Sequence, residues 1–194
     1  MNFYKRPVTD IPPIFLPFEQ SKPFQNCINC EVYLLNDETE YVIEKAIRQY
    51  NDFKTSDVIF EYAMCMKCAD KVRKELSSES LERIQSYITN SNLVQSRQEL
   101  INNNNWNIDQ WLDKCAVTGQ SLEGQTEYQI YGHCKGSQLV LSVMPYMIGN
   151  QATEEMSELL SAKTKDELNR FVDENFGIPP ELKQPIKDHP ILFV

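Results

Sequence analysis

Glycine and histidine are scarce in this sequence, and their scarcity excludes several chemistries before any motif is read. Six glycines among 194 residues supply no Gly-x-Gly-x-x-Gly or Gly-x-x-x-x-Gly-Lys loop for a phosphate, and no Gly-x-Ser-x-Gly turn to present a nucleophile. Two histidines, His133 and His189, cannot make the His-rich ligand set with an open position that a hydrolytic zinc centre uses, and no His-Glu-x-x-His occurs. Nothing marks an enzyme, although a pair of catalytic carboxylates leaves no sequence signature.

Positive charge is also short. Nineteen Lys and Arg face 28 Asp and Glu, for a net charge of −9 and a pI near 4.8. Both halves are acidic, with 12 basic against 15 acidic residues through Asn105 and 7 against 13 beyond it. Because phosphate attraction supplies most non-specific affinity, nucleic acid is the less expected partner and another protein the more expected one. Long apolar runs are missing too. The best, Leu139 to Gly149, is about half a bilayer span and contains Pro145. Lys5-Arg6 precedes a stretch interrupted by Pro7, Pro12, Pro13 and Pro17, unlike a secretory signal. A reducing cytoplasm, in which thiols stay available for metal, is the expected location.

What is present is cysteine in pairs: Cys27-Ile-Asn-Cys30 and Cys65-Met-Lys-Cys68. The Cys-x-x-Cys spacing lets two thiolates face one point, and two such hooks complete the tetrahedron that Zn²⁺ requires. Four protein sulfurs leave no position for water or substrate, so one structural Zn²⁺ per chain on Cys27, Cys30, Cys65 and Cys68 is expected. Around them, Val32 to Leu35 and Tyr41 to Ile43 read as strands after a knuckle. Asp57 to Met64 reads as a strand running into Cys65, and Ala69 to Leu76 as a helix. Knuckle, hairpin and a cysteine pair at the first turn of a helix resemble the treble-clef class of zinc fingers over residues 24–90. The resemblance implies a metal site and no activity; treble-clef nucleases carry histidines there, and none lies between Cys27 and Leu81. The alternatives are a thiol redox pair at Cys65 and Cys68, structural disulfides, or iron in a rubredoxin-like site.

The expected fold class is α+β, in three parts. Residues 1–26, with five of the ten prolines, read as an extended arm too apolar for a solvated tail, lying on the body of the protein. Residues 27–105 form the Cys₄ zinc module with a helical extension, ending at Asn102 to Asn105. Residues 106–194 form a module of β-hairpin and paired helices. In this last part Trp106 and Trp111 read as an anchor between halves, and Glu127 to Tyr131 with Gln138 to Val143 as a hairpin. Thr164 to Glu167 reads as a capping box, and Pro190 to Val194 as an apolar packed tail.

Two further readings concern the second half. Cys115-Ala-Val-Thr118 repeats the position of Cys27-Ile-Asn-Cys30, which suggests a degenerate repeat with Thr118, Pro145 and Ile148 in former ligand places. Alternatively, Cys115, His133 and Cys134 form a second, incomplete metal set, against the bland reading of buried small hydrophobes. Functionally, a zinc-binding structural or protein-interaction protein stands first. A nucleic-acid-binding regulatory finger, with Lys67, Lys71, Arg73 and Lys74 beside the second cysteine pair, and a thiol redox protein are the alternatives.

Overall fold

A computed structural model describes residues 6–50, 52, 53 and 55–176; His189 and the apolar Pro190 to Val194 segment lie outside them. β-Branched and aromatic residues recur through Glu40–Tyr50 (β2) and Thr55–Cys65 (β3), which pair as a long antiparallel hairpin with Tyr41 opposite Cys65 and Tyr50 opposite Thr55. Glu127–Lys135 (β4) lies antiparallel on the other edge of β2. The far edge of β4 is shared. Tyr146–Gly149 (β6) runs along Tyr128 to Tyr131, and Gln138–Val140 (β5) pairs at Cys134 and Lys135. Val8–Asp10 (β1) closes the six-stranded sheet against β5. Among the described residues, six α-helices complete the α+β fold: Met66–Glu75 (α1), Ser78–Thr89 (α2), Leu93–Asn102 (α3), Ile108–Leu112 (α4), Asn150–Glu158 (α5) and Ala162–Asn175 (α6).

Successive strand residues point to opposite faces, and the consecutive buried residues Ile43, Glu44 and Lys45 show that both faces of β2 are covered. The proline-rich arm covers one. Lys45 Nζ donates to the carbonyls of Ile14 at 3.2 Å and Leu16 at 2.6 Å, and pairs with Glu61 at 3.0 Å. Glu61 accepts the Phe18 N–H at 2.8 Å. Phe15 is fully buried on this face against Gly132, where a Cβ would stand 2.9 Å from its ring. Helices cover the other face: Tyr62, paired in register with Glu44, meets Phe171 of α6 edge-on at 5.8 Å.

The structure corrects several local expectations. Val32 to Leu35 is not a strand; it leaves the knuckle with one isolated bridge, Tyr33 to Asn26. The second hairpin strand stops at Val140: the Leu141 N–H still reaches the Pro7 carbonyl at 2.8 Å, in register with β1, but Pro7 has no N–H to return the bond. Trp111 is fully buried, its Nε1 donating to the Asn105 carbonyl at 2.8 Å, whereas Trp106 remains 38% exposed. The N-cap of α6 is Ser161, not Thr164: the Ser161 hydroxyl accepts the Thr164 N–H. That frees the Thr164 hydroxyl to accept the Ser77 N–H at 3.0 Å, while the Ser80 hydroxyl accepts the Ser161 N–H at 2.8 Å. Ser77 caps α2 by accepting from Ser80 N–H, so the first turns of α2 and α6 cap one another reciprocally.

Candidate metal centre

The first cysteine pair sits in a knuckle closed by short backbone bonds. The Cys27 N–H donates to Val32 O at 3.0 Å, Glu31 N–H to Cys27 O at 2.9 Å, and Leu34 N–H to Gln25 O at 2.8 Å. Glu31 adopts φ 58°, a left-handed conformation uncommon for a residue with a Cβ; the Asn26 side chain bonds its carbonyl at 2.9 Å. Ile28 N–H donates to Ala63 O at 2.9 Å and so fastens the knuckle to β3. Two residues later β3 delivers Cys65, the extended N-cap of α1, and Cys68 follows in the first turn.

The four cysteines meet there. Their sulfurs all lie within 4.8 Å of one another, and Cys30 Sγ is 3.8 Å from Cys65 Sγ. Four thiolates at about 2.3 Å from a shared tetrahedral ion would be spaced by about 3.8 Å, far more than the ~2.05 Å of a disulfide. Cys27, Cys65 and Cys68 are buried and Cys30 is exposed. Burial works against the Cys27 thiolate, but the N–H groups of Cys65, Cys30 and Asn29 bring its pKa below the ordinary thiol value. Burial is also the main cause raising Cys65 and Cys68, with the neighbouring thiols adding to it at Cys68. A cluster of thiols held this closely resists ionising together unless a cation supplies the balancing charge. Four close cysteines can therefore hold one metal ion, and their donor set suits a thiophilic one. The α1 N-terminus also favours anionic sulfur.

Among the described residues, these four are the only group of three or more His, Cys, Asp and Glu whose ligand atoms come so close. The second expected set does not assemble. His133 Nε2 is 2.8 Å from Glu40 Oε2, while Cys134 and Cys115 are buried within the hydrophobic core. His133 and Cys134 are neighbours on β4 and face opposite ways.

The knuckle nevertheless recurs in the second half. Cys115 N–H donates to Gln120 O at 2.7 Å, Gly119 N–H to Cys115 O at 2.9 Å, Leu122 N–H to Asp113 O at 2.7 Å and Ala116 N–H to Met147 O at 2.8 Å. Gly119 takes φ 72° where Glu31 takes 58°. Lys114 bridges Ser121 as Asn26 bridges Tyr33. Met147 leads along β6 to Gly149, the extended N-cap of α5, as Ala63 leads to Cys65. By these hydrogen bonds Thr118 lies in its knuckle where Cys30 lies in the first. Pro145 and Ile148 do not match Cys65 and Cys68; Gly149 and Ala152 do, because the helix starts at Asn150.

Two features escaped sequence reading. The left-handed Glu31 carries no glycine or asparagine to announce it. The buried pair of Glu44 and Tyr131, with Tyr62 also donating to Glu44, joins strands whose pairing is not visible locally. Compared with family models, curated proteins and solved structures, the chain matches none.

Proposed function

We propose that Cys27, Cys30, Cys65 and Cys68 hold one structural Zn²⁺, and that the protein is a zinc-stapled, cytoplasmic protein of structural or protein-interaction type. The observation that carries this is the convergence of four sulfurs from two distant turns within 4.8 Å. A complete sulfur tetrahedron gives the ion no open position, so its role is to tie the knuckle to the start of α1. The knuckle, β2–β3 hairpin and α1 support a treble-clef module, and the recurring knuckle supports reading the second half as its degenerate copy. Zinc is favoured over iron because it is redox-inert and needs only tetrahedral geometry from its site. A protein partner is preferred to nucleic acid on the acidic balance of 28 Asp and Glu against 19 Lys and Arg.

A nucleic-acid-binding role is the second reading. It draws on exposed Lys67, Lys71, Arg73 and Lys74 along α1 and is opposed by the net charge of −9.

Elemental analysis of protein purified under reducing conditions tests the first reading. About one zinc per chain is expected, lost in Cys30→Ser and Cys68→Ser. Folded wild-type protein that carries no metal would overturn it. Retention on immobilised nucleic acid that weakens steeply with salt would favour the second.

A further inference from the structure

We infer that the second half retains the ligand cage of the first, with a glutamine clamp in place of the ion. Cys115, Thr118, Gly149 and Ala152 stand where Cys27, Cys30, Cys65 and Cys68 stand. This rests on reading the first cage as a metal site, and it concerns a second one.

The correspondence holds well beyond one motif. Four knuckle hydrogen bonds have counterparts: Cys27 to Val32 with Cys115 to Gln120, Glu31 to Cys27 with Gly119 to Cys115, Leu34 to Gln25 with Leu122 to Asp113, and Ile28 to Ala63 with Ala116 to Met147. Cys65 and Gly149 are both extended N-caps, with φ −64° and ψ 148° in one and φ −80° and ψ 167° in the other. Gly149 is therefore not held in a conformation that demands glycine. Further along, Ser77 N–H to Thr164 Oγ1 answers Ser161 N–H to Ser80 Oγ, each cap using the other's third residue. In the sheet, Glu44 opposite Tyr131 lies at the centre of the β2–β4 ladder, where an axis exchanging the two copies must pass.

What fills the second cage is amide chemistry. A Cβ on Gly149 would stand 2.6 Å from Gln125 Oε1 and 3.1 Å from Gln125 Cδ. The Gln125 carboxamide thus occupies the space into which a side chain at position 149 would project. Its oxygen accepts the Asn150 N–H at the start of α5 at 3.3 Å, while its Nε2 donates to Ser121 O at 3.3 Å and Gln120 Oε1 at 3.4 Å. Gln120 Nε2 in turn donates to Gln151 Oε1 at 2.7 Å. Knuckle and helix are joined across the gap, as Cys27 Sγ accepts the Cys65 N–H at 3.4 Å across the first. The first half depends on a cation for this joint and the second does not.

Reloading the cage tests the inference. Thr118→Cys/Gly149→Cys/Ala152→Cys, made in the full chain with Gln125→Ala to clear the space, is titrated with Co²⁺ and Zn²⁺ under reducing conditions. Relative to wild type, one additional equivalent is expected, with a matching increase in sulfur-to-cobalt charge-transfer absorption; adding Cys115→Ser should remove it. If the four-residue variant does not fold, Thr118→Cys/Ala152→Cys/Gln125→Ala, which leaves Gly149 unchanged, should still bind additional Co²⁺ through three sulfurs. A folded variant of either kind with no more metal than wild type overturns the inference. A metal-free wild type would sink the reading of the first cage, while the difference between variant and wild type would still judge the second.

Discussion

Glu44 on β2 faces Tyr131 on β4, and the Tyr131 hydroxyl donates to its carboxylate at 3.1 Å, with Gln129 Oε1 2.7 Å from the same hydroxyl. Tyr62 donates to the other carboxylate oxygen, so two phenols from different strands serve one buried acid. Burial and the Glu44 charge push both phenols well above the ordinary tyrosine pKa, keeping them as donors. Tyr131→Phe should destabilise the fold by about 1–3 kcal/mol, the cost of removing one partner of a buried acceptor. Urea unfolding measures this, and Glu44→Gln/Tyr131→Phe should cost less than the sum of the singles.

Lys45 holds the N-terminal arm against the sheet. Its ammonium is buried, and removing it leaves Glu61 without its cation and two arm carbonyls without their donor. Lys45→Met should cost about 3–5 kcal/mol and expose the arm to proteolysis between Ile14 and Phe18. A variant as resistant as wild type would show that Phe15 alone seats the arm.

Stability should fall on mild acidification. Burial lowers the His133 pKa below its ordinary 6.5, only partly offset by Glu40. The folded chain then binds fewer protons at this site than the unfolded one. Its contribution is full above the unfolded pKa of about 6.5 and is lost as pH falls through the lower folded value. Glu40 acts in the same sense further down: burial opposes its charge, but Arg6 and His133 hold it below 4.5, so its contribution fades in stronger acid. His133→Asn should flatten the dependence of thermal midpoint on pH below 6.5 and also shrink the Glu40 portion, leaving the part that Arg6 supplies.

Chelation should act on one half first. Removing the ion should raise amide exchange in the Cys27–Leu34 knuckle and at the start of α1. The Cys115–Leu122 knuckle and the start of α5, held by Gln125, should keep their protection. Equal loss in both would mean that the two joints unfold as one unit.

The cysteine hooks, the strand running into Cys65, the Glu127 to Tyr131 part of β4 and most helices were legible because each is set by spacing within a few residues; that β4 continues through His133 and Cys134 to Lys135 was not. Local reading failed where a second partner decided. Ser161 caps α6, and the Thr164 hydroxyl is then free to accept the N–H of distant Ser77. Val32 to Leu35 has strand composition but finds only an isolated bridge. Pro145 and Ile148 do not stand at the start of a helix as Cys65 and Cys68 do, because the extended segment runs to Gly149 before α5 begins.

By itself the sequence determined the four-cysteine set and the elements presenting it, since Cys-x-x-Cys geometry and helix or strand periodicity are local properties. Only the tertiary structure decided that β4 lies against β2, that an arm and a helical layer bury opposite faces of that strand, and that Gln125 stands across the second cage. Such pairings join residues far apart in the chain, and a carboxamide in the place of a thiolate shares no pattern with it until both are seen on the same backbone.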